Sequence, residues 1–282
     1  MRKIQVKAEQ TLLDLPNEQW YVHSIFKHTF NMTDRKHMPL ILIATDQKKL
    51  LPGGIYLPEK DFYDLLNQIK DTKEITYSDQ SIFIETTVER WQLVLSKAYD
   101  IRLLKSGITD RRVALFLEAC QKLDKLTGLD IQFHDLLSKN HSPLKDQIFQ
   151  LMSPNTAQEA VRYFIGRGRG LTPSGDDFLI GWLLINWLTS QEDYLNGLIR
   201  PKIIDDNFTT DISRHYLNHA IHKRFSSALL DIAGYLDGQG ANRDIDGFLQ
   251  NAIDYGNTSG IDTISGVVSA LIFTHVTDQA EV

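Results

Sequence analysis

Residues 166–188 read GRGRGLTPSGDDFLIGWLLINWL and pass from a glycine-rich loop into a strongly apolar segment. Beyond Asp177 the apolar residues cover nearly every side of a helical wheel, which predicts a buried helix from Asp177 to Leu198. The alternating glycines before it give a backbone that can turn sharply and approach a ligand closely. This stretch therefore predicts a helical core that begins at a polar, glycine-rich loop.

The helical pattern extends through the rest of the C-terminal half. From Val113 to Leu123 apolar residues recur at helical spacing, and Cys120 lies within that stripe, which favours a core position over a nucleophile. Further helices are predicted over residues 156–165, 211–236, 244–255 and 262–275. Residues 107–282 are therefore predicted to form a mostly α-helical domain.

The N-terminal part has the patterns of β-strands. Apolar runs, alternation and strand-forming residues mark residues 40–44, 81–86 and 91–96. The sequence Leu51-Pro52-Gly53-Gly54 predicts a hairpin-like connection, and one helix is predicted to start at Pro58. Residues 1–106 are therefore predicted to form a β-rich domain, either a small barrel or a sandwich, which makes the chain an α+β protein.

Composition narrows the classes of partner. The chain of 282 residues has a formal net charge of −6 with scattered basic residues, which argues against nucleic-acid binding. No apolar stretch approaches the roughly 20 residues that a spanning helix requires, so no membrane role is expected. A single cysteine, and a charged N-terminus with no apolar continuation, favour a cytoplasmic protein.

The loop before the buried helix combines two devices for binding an anion. Three glycines alternate with two arginines, namely Gly166, Arg167, Gly168, Arg169 and Gly170. Guanidinium groups bind oxyanions, and either Thr172 or Ser174 could cap a helix whose first N–H groups favour negative charge. No P-loop or Rossmann fingerprint is present. We expect the backbone N–H groups from Gly168 to Gly175 to serve as donors.

Two adjacent aspartates complicate this interpretation, because Asp176 and Asp177 would repel an anion. A divalent cation such as Mg²⁺, held by these carboxylates and by ligand oxygens, would reconcile them with a phosphate. A free aspartate could instead act as a general base. In the alternative without a ligand, Gly166 is a helix C-cap, Ser174 an N-cap and Asp177 its capping-box partner.

Residues 259–266 repeat the pattern of residues 174–181, and both read S-G-x-D-x-x-x-G. Equivalent places are held by Asp177 and Asp262, and by Gly181 and Gly266. Glycine inside a helix costs on the order of 1 kcal/mol relative to alanine, so the repeat predicts that the two helices cross there in close backbone contact. One pocket would then contain Ser174, Asp177, Thr258, Ser259, Gly260 and Asp262. Two unrelated capping boxes are the alternative.

His215, His219 and His222 have a spacing that can present imidazoles to a metal ion on one helix. Because apolar residues such as Leu217 occupy the other side, a solvated or peripheral face is the favoured interpretation. No G-x-S-x-G surrounds any serine, so no serine nucleophile is predicted.

The two motifs resemble those of the AllH-like family, which is linked to oxamate carbamoyltransferase. The similarity lies in GLTPSGDD at residues 170–177 and in G-x-T-S-G-x-D at residues 256–262, with weaker likeness at Val22-His23-Ser24 and at the turn from Pro52. This chain departs from the family in having arginines between the loop glycines, where an apolar residue and a proline are common.

The resemblance implies carbamoyl transfer between oxalurate and phosphate in nitrogen catabolism, by a subunit that acts with larger partners. Phosphate, carbamoyl phosphate, oxalurate and oxamate all present oxygens that N–H groups and arginine bind. We expect an enzyme or enzyme subunit in which Arg167 or Arg169 binds such an anion, and Asp176, Asp177 or Asp262 is the base or cation ligand. A non-catalytic binding or assembly subunit is the alternative.

Overall fold

The computed structural model describes residues 1–16, 18–34, 39–104, 107–138, 140–189, 194–204, 208–238, 244–254 and 256–280, with backbone only for residues 194 and 274–280. The chain divides into two compact units, unit 1 (Met1–Ile101) and unit 2 (Arg102–Val282). Unit 1 is β-rich and unit 2 is mostly helical, so the predicted α+β class is confirmed. The division at residues 106 and 107 stays a prediction, because residues 105 and 106 lie outside the described part.

Unit 1 is a closed barrel of eight strands. They are β1 (Arg2–Glu9), β2 (Gln19–Ile25), β3 (Thr29–Thr33), β4 (Leu40–Thr45), β5 (Gly54–Leu57), β6 (Thr72–Ser78), β7 (Ser81–Thr86) and β8 (Arg90–Tyr99). Their spatial order is β1-β5-β4-β3-β2-β6-β7-β8, and the barrel closes where β1 and β8 pair in parallel. Of the two architectures that the sequence left open, the barrel is therefore the observed one.

Large apolar side chains fill the barrel. Trp20, Phe30 and Trp91 are buried, and the helix α1 (Glu59–Leu66) packs the ring of Phe62 against Phe30. Pro58 lies at the N-cap of this helix, one residue before its first helical position.

The hairpin predicted at residues 51–54 is wrong, because β4 and β5 pair in parallel. Two buried tyrosines hold the connecting segment. The Tyr56 hydroxyl accepts a hydrogen bond from the Leu51 N–H at 2.7 Å, and the Tyr99 hydroxyl donates to the Leu51 carbonyl at 2.7 Å. These contacts fix the Pro-Gly-Gly segment as part of a parallel connection.

Unit 2 contains ten α-helices within its described residues. They are α2 (Asp110–Cys120), α3 (Phe133–Leu137), α4 (Pro143–Gln150), α5 (Ala157–Phe164), α6 (Ser174–Leu188), α7 (Tyr194–Ile204), α8 (Asp211–Ile221), α9 (Ser227–Leu236), α10 (Ile245–Ile253) and α11 (Ser259–Ala280). Helix α6 is buried along nearly its whole length, as predicted, and Cys120 is a core residue. No helix among the described residues could cross a membrane.

Two of the long predicted helices are each interrupted. The span 177–198 is divided because α6 ends at Leu188, where the Thr189 hydroxyl donates to the Ile185 carbonyl at 3.0 Å. The span 211–236 is divided between α8 and α9 because Lys223 has a φ of 61° and Ser226 caps α9. Helices α5 and α10 agree with their predicted spans to within two residues, although residue 255 lies outside the described part. Helices α6 and α11 each begin three residues earlier than predicted, and α11 extends five residues beyond its predicted end, to Ala280.

Candidate functional site

Helices α6 and α11 cross in backbone contact at the two glycines of the repeat. A Cβ atom at Gly181 would lie 1.9 Å from the Thr263 carbonyl oxygen, and one at Gly266 would lie 1.9 Å from the Phe178 carbonyl oxygen. Each carbonyl belongs to the residue three positions before the other helix's glycine. The contacts are therefore reciprocal, as a local twofold axis would produce, and the predicted crossing is confirmed.

The second residue of each motif packs against the helix that precedes it. A Cβ atom at Gly175 would lie 2.0 Å from the Phe164 carbonyl oxygen at the end of α5, and one at Gly260 would lie 2.4 Å from the Ala252 carbonyl oxygen in α10. The two helix starts thus have equivalent supports.

Asp177 and Asp262 are buried where the two helix starts meet, with exposed fractions of 6% and 0%. Each aspartate has one serine of the other motif and one threonine of its own motif as neighbours, with Ser259 and Thr172 beside Asp177 and Ser174 and Thr258 beside Asp262. The Thr172 and Ser259 hydroxyls are also hydrogen-bonded to each other at 2.8 Å. Despite these neighbours, the Oδ2 atom of neither aspartate has a hydrogen-bond partner among the described residues.

Burial raises the pKa of both carboxyl groups. The pKa of Asp177 rises well above its ordinary value through desolvation and through the charge of Asp262, and the neighbouring hydroxyls offset only part of this. Desolvation also raises the pKa of Asp262, against the effect of nearby hydroxyls and of the Gly128 N–H, which donates to Oδ1 at 2.8 Å. Two buried like charges disfavour double ionisation, so this pair retains a proton more readily than exposed aspartates do.

Asp176 has a different environment. It is fully buried, and its Oδ1 atom accepts a hydrogen bond from the Gly166 N–H at 2.8 Å. Its Oδ2 atom accepts from the Ser213 hydroxyl at 2.7 Å and from the Thr209 hydroxyl. Successive helical residues point about 100° apart, which separates Asp176 from the pair formed by Asp177 and Asp262. Asp176 therefore ties the glycine-rich loop to the start of α8.

The sequence raised two possible metal sites, one at the aspartates and one at the histidines. Three protein donors already use the oxygens of Asp176, so the Mg²⁺ site predicted from Asp176 and Asp177 does not fit this arrangement. Within the described ranges, no group of three or more histidine, cysteine or acidic side chains is placed to hold a metal ion. The solvated face predicted for the histidines is wrong for His215, which is buried, and burial lowers the pKa of His219 well below its ordinary value.

The glycine-rich loop folds over the start of α6. All three of its alternating glycines have positive φ, at 72° for Gly166, 117° for Gly168 and 90° for Gly170. The predicted N-cap role of Ser174 is wrong, because Pro173 holds that position and makes no side-chain cap. Instead, the Gly175 N–H donates to the Arg167 carbonyl at 2.8 Å, so a loop carbonyl replaces a capping side chain.

A cavity of about 810 Å³ lies over the two helix starts. Three segments line it, namely residues 126–130, residues 167–172 with Ser174, and residues 256–259. Arg167 and Arg169 are exposed, and the Arg167 guanidinium stacks on the Tyr163 ring at 4.0 Å from its centroid. In the described part of the chain, the N–H groups of Gly168, Arg169 and Gly170 have no hydrogen-bond partner. The cavity therefore offers donors and positive charge on one side.

Most of the predicted site residues meet at this cavity. Those that line it are Arg167, Gly168, Arg169, Gly170, Thr172, Ser174, Thr258 and Ser259. Gly175 and Gly260 support the helix starts, and the carboxyls of Asp177 and Asp262 lie behind the lining hydroxyls.

One wall of the cavity, residues 126–130, was not predicted from the sequence. Gly128 packs so closely that a Cβ atom there would lie 2.0 Å from the Ser174 Oγ and 2.9 Å from the Asp262 Oδ2. Asp130 follows with a φ of 60° and also lines the cavity. Thr127 and Gly128 are residue types that favour a turn, but nothing in the sequence around them indicates a contact with either motif.

Two family models match the chain. Residues 164–271 match the family described as oxamate carbamoyltransferase subunit AllH, and residues 4–101 match the AllH family N-terminal domain. No solved structure matches the chain significantly. The two family matches include the barrel, both serine-glycine motifs and the crossing of α6 with α11. The chain therefore belongs to the AllH family.

Proposed function

We propose that this chain binds a small oxyanion in the cavity over α6 and α11 and acts there as a subunit of a carbamoyl-transferring enzyme. The arrangement of the glycine-rich loop carries this proposal. Within the part of the chain that the structure describes, the N–H groups of Gly168, Arg169 and Gly170 have no hydrogen-bond partner, and they lie beside the guanidinium groups of Arg167 and Arg169 at the cavity. Preorganised N–H donors beside arginine bind phosphate and carboxylate oxygens strongly.

The buried carboxyl pair supplies the acid–base chemistry in this proposal. When a carbamoyl group moves from carbamoyl phosphate to oxamate, the oxamate nitrogen bonds to the carbamoyl carbon and the bond from that carbon to the phosphate oxygen breaks. The nitrogen loses one proton in the same reaction. Asp177 or Asp262 takes that proton through the serine and threonine hydroxyls that separate them from the cavity. Phosphate leaves on the side of the loop N–H groups.

A second function is anion sensing by a subunit that does not itself catalyse the reaction. The placement of Asp177 and Asp262 favours this alternative, because neither carboxyl lines the cavity. In that case a partner subunit supplies the groups that touch the reacting atoms, and this chain holds one of the anions.

Thermal unfolding of the purified chain tests the oxyanion site. Inorganic phosphate, carbamoyl phosphate and oxamate are added separately, with and without Mg²⁺. A ligand at about 100 times its Kd stabilises by roughly 2.7 kcal/mol, or about 5–10 °C in Tm for a unit of this size. Arg169→Ala should reduce the shift, whereas Arg162→Ala, which removes an exposed arginine of α5 outside the cavity, should retain it. No shift with any of the three ligands refutes the proposal.

Turnover then separates the two functions. Phosphorolysis of oxalurate by the chain alone would favour the catalytic subunit. Turnover that requires added partner subunits, together with ligand binding by the isolated chain, would favour the sensing subunit.

A further inference from the structure

The two helix starts form two half-sites, and we propose that the cavity binds two small ligands at once, one at each half-site. The first half-site comprises the loop residues 167–172 with Ser174 at the start of α6. The second comprises residues 256–259 at the start of α11. This inference rests on the proposed function and deepens it, because a transfer reaction needs its donor and its acceptor side by side.

The reciprocal geometry is the first argument. The backbone contacts of Gly181 and Gly266 have the same distance, and each helix start rests on the end of the preceding helix. A left-handed glycine precedes both starts, at Gly170 with φ 90° and at Gly256 with φ 67°. The two helix starts therefore present their serines and threonines in equivalent positions of the same cavity.

The unpaired carboxylate oxygens are an independent argument. Each half-site has one aspartate behind it, and in both aspartates Oδ2 is buried without a hydrogen-bond partner in the described residues. Buried polar atoms are usually satisfied, so such an atom points to a ligand or to a hydroxyl that turns when a ligand binds. Because Asp177 and Asp262 both have such an Oδ2 atom, each half-site has a buried acceptor behind it that a ligand can satisfy.

The size of the cavity agrees with two occupants. Its volume of about 810 Å³ leaves room beside one small oxyanion for a second small ligand.

The half-sites differ in charge, and this difference assigns their ligands. The first contains Arg167 and Arg169 and suits a multiply charged oxyanion such as phosphate. The second has the exposed Asn257, which offers both an N–H donor and a carbonyl acceptor. That combination suits the amide group of a ligand such as oxamate.

Titration calorimetry on the full chain tests this inference, with inorganic phosphate and oxamate as probes. Oxamate is titrated into the free chain and into the chain saturated with phosphate. We expect oxamate to bind the phosphate-saturated chain with an unchanged or lower Kd. Asn257→Ala should weaken oxamate about threefold to tenfold and leave phosphate unchanged, whereas Arg169→Ala should weaken phosphate about tenfold or more and leave oxamate unchanged. Arg162→Ala is the matched control and should change neither Kd.

The outcomes separate this inference from the function on which it rests. If phosphate competes with oxamate, if oxamate binds neither form, or if both variants weaken both ligands equally, the two half-sites are refuted while a single oxyanion site stands. If neither probe binds and carbamoyl phosphate also fails to shift the Tm, the proposed function fails with it.

Discussion

Gly181→Ala tests the helix crossing that organises the site. The added methyl group would meet the Thr263 carbonyl oxygen at 1.9 Å and the Val267 nitrogen at 2.9 Å, and ordinary contact begins at 3.4 Å. Because these atoms belong to the backbone of α11, the two helices must separate by about 1.5 Å. Overpacking costs roughly 1–3 kcal/mol, a clash with backbone atoms lies at the upper end of about 3 kcal/mol, and alanine recovers about 1 kcal/mol of helix propensity. We therefore expect a net loss of about 2 kcal/mol in the free energy of unfolding, together with weaker phosphate binding.

Gly234→Ala is the matched control for this experiment. Gly234 lies inside α9, and a Cβ atom there would have no neighbour within 4 Å. This substitution should stabilise the protein by up to about 1 kcal/mol, so the two variants should differ by about 3 kcal/mol in urea unfolding. If Gly181→Ala proves as stable as Gly234→Ala, the close crossing of α6 and α11 is not present in solution. The crossing then does not bring the two motifs together in one pocket.

Two further predictions concern the buried carboxyl groups. Asp176→Ala removes the acceptor of three donors, from Gly166, Ser213 and Thr209, and should destabilise the protein by about 3 kcal/mol or more. Urea unfolding measures the loss, and Asp176→Asn should lose less. If the alanine variant is as stable as the wild type, Asp176 does not tie the loop to α8. The raised pKa of Asp177 means that the folded state holds the carboxyl proton at higher pH than the unfolded state does. The stability that this carboxyl group contributes is therefore complete below about pH 4 and is lost as the pH rises through the folded pKa. Asp177→Asn should therefore gain stability relative to the wild type as pH rises from about 4 to 8, and a difference that stays constant over this range would argue against burial of the charge.

The sequence predicts the crossing and the main part of the site because glycine within a buried apolar helix is unfavourable unless a neighbour requires it. Gly181 and Gly266 stand at the same place in two copies of one motif, and both contacts are to backbone. Gly128 could not be predicted in the same way. Its N–H donates to a carboxylate 134 positions away, and nothing in its local sequence specifies that distant partner.

The two wrong predictions of secondary structure concern features that apolar patterns do not show. Apolar periodicity continues through Phe225, so it does not show the left-handed Lys223 and the Ser226 cap that divide α8 from α9. The Pro-Gly-Gly turn is typical of hairpins, whereas the parallel connection is held by the pairing of β4 with β5 and by the hydroxyls of Tyr56 and Tyr99, which bind Leu51. Contacts of this kind depend on the assembled barrel and leave no periodic pattern.

Comparison of the two copies of the motif distinguishes the roles of the adjacent residues Asp176 and Asp177. In the second copy Ile261 stands where the first has Asp176, and it is buried in the same helix turn, so the crossing requires no carboxylate at that place. The partners of Asp176 are Gly166 in the glycine-rich loop and Thr209 and Ser213 at the start of α8. The place of Asp177 is held by Asp262 in the second copy, and each of these two aspartates lies beside the serine hydroxyl of the other motif. We therefore assign the proposed acid–base role to the pair that the twofold arrangement repeats, whereas the hydrogen bonds of Asp176 hold one loop.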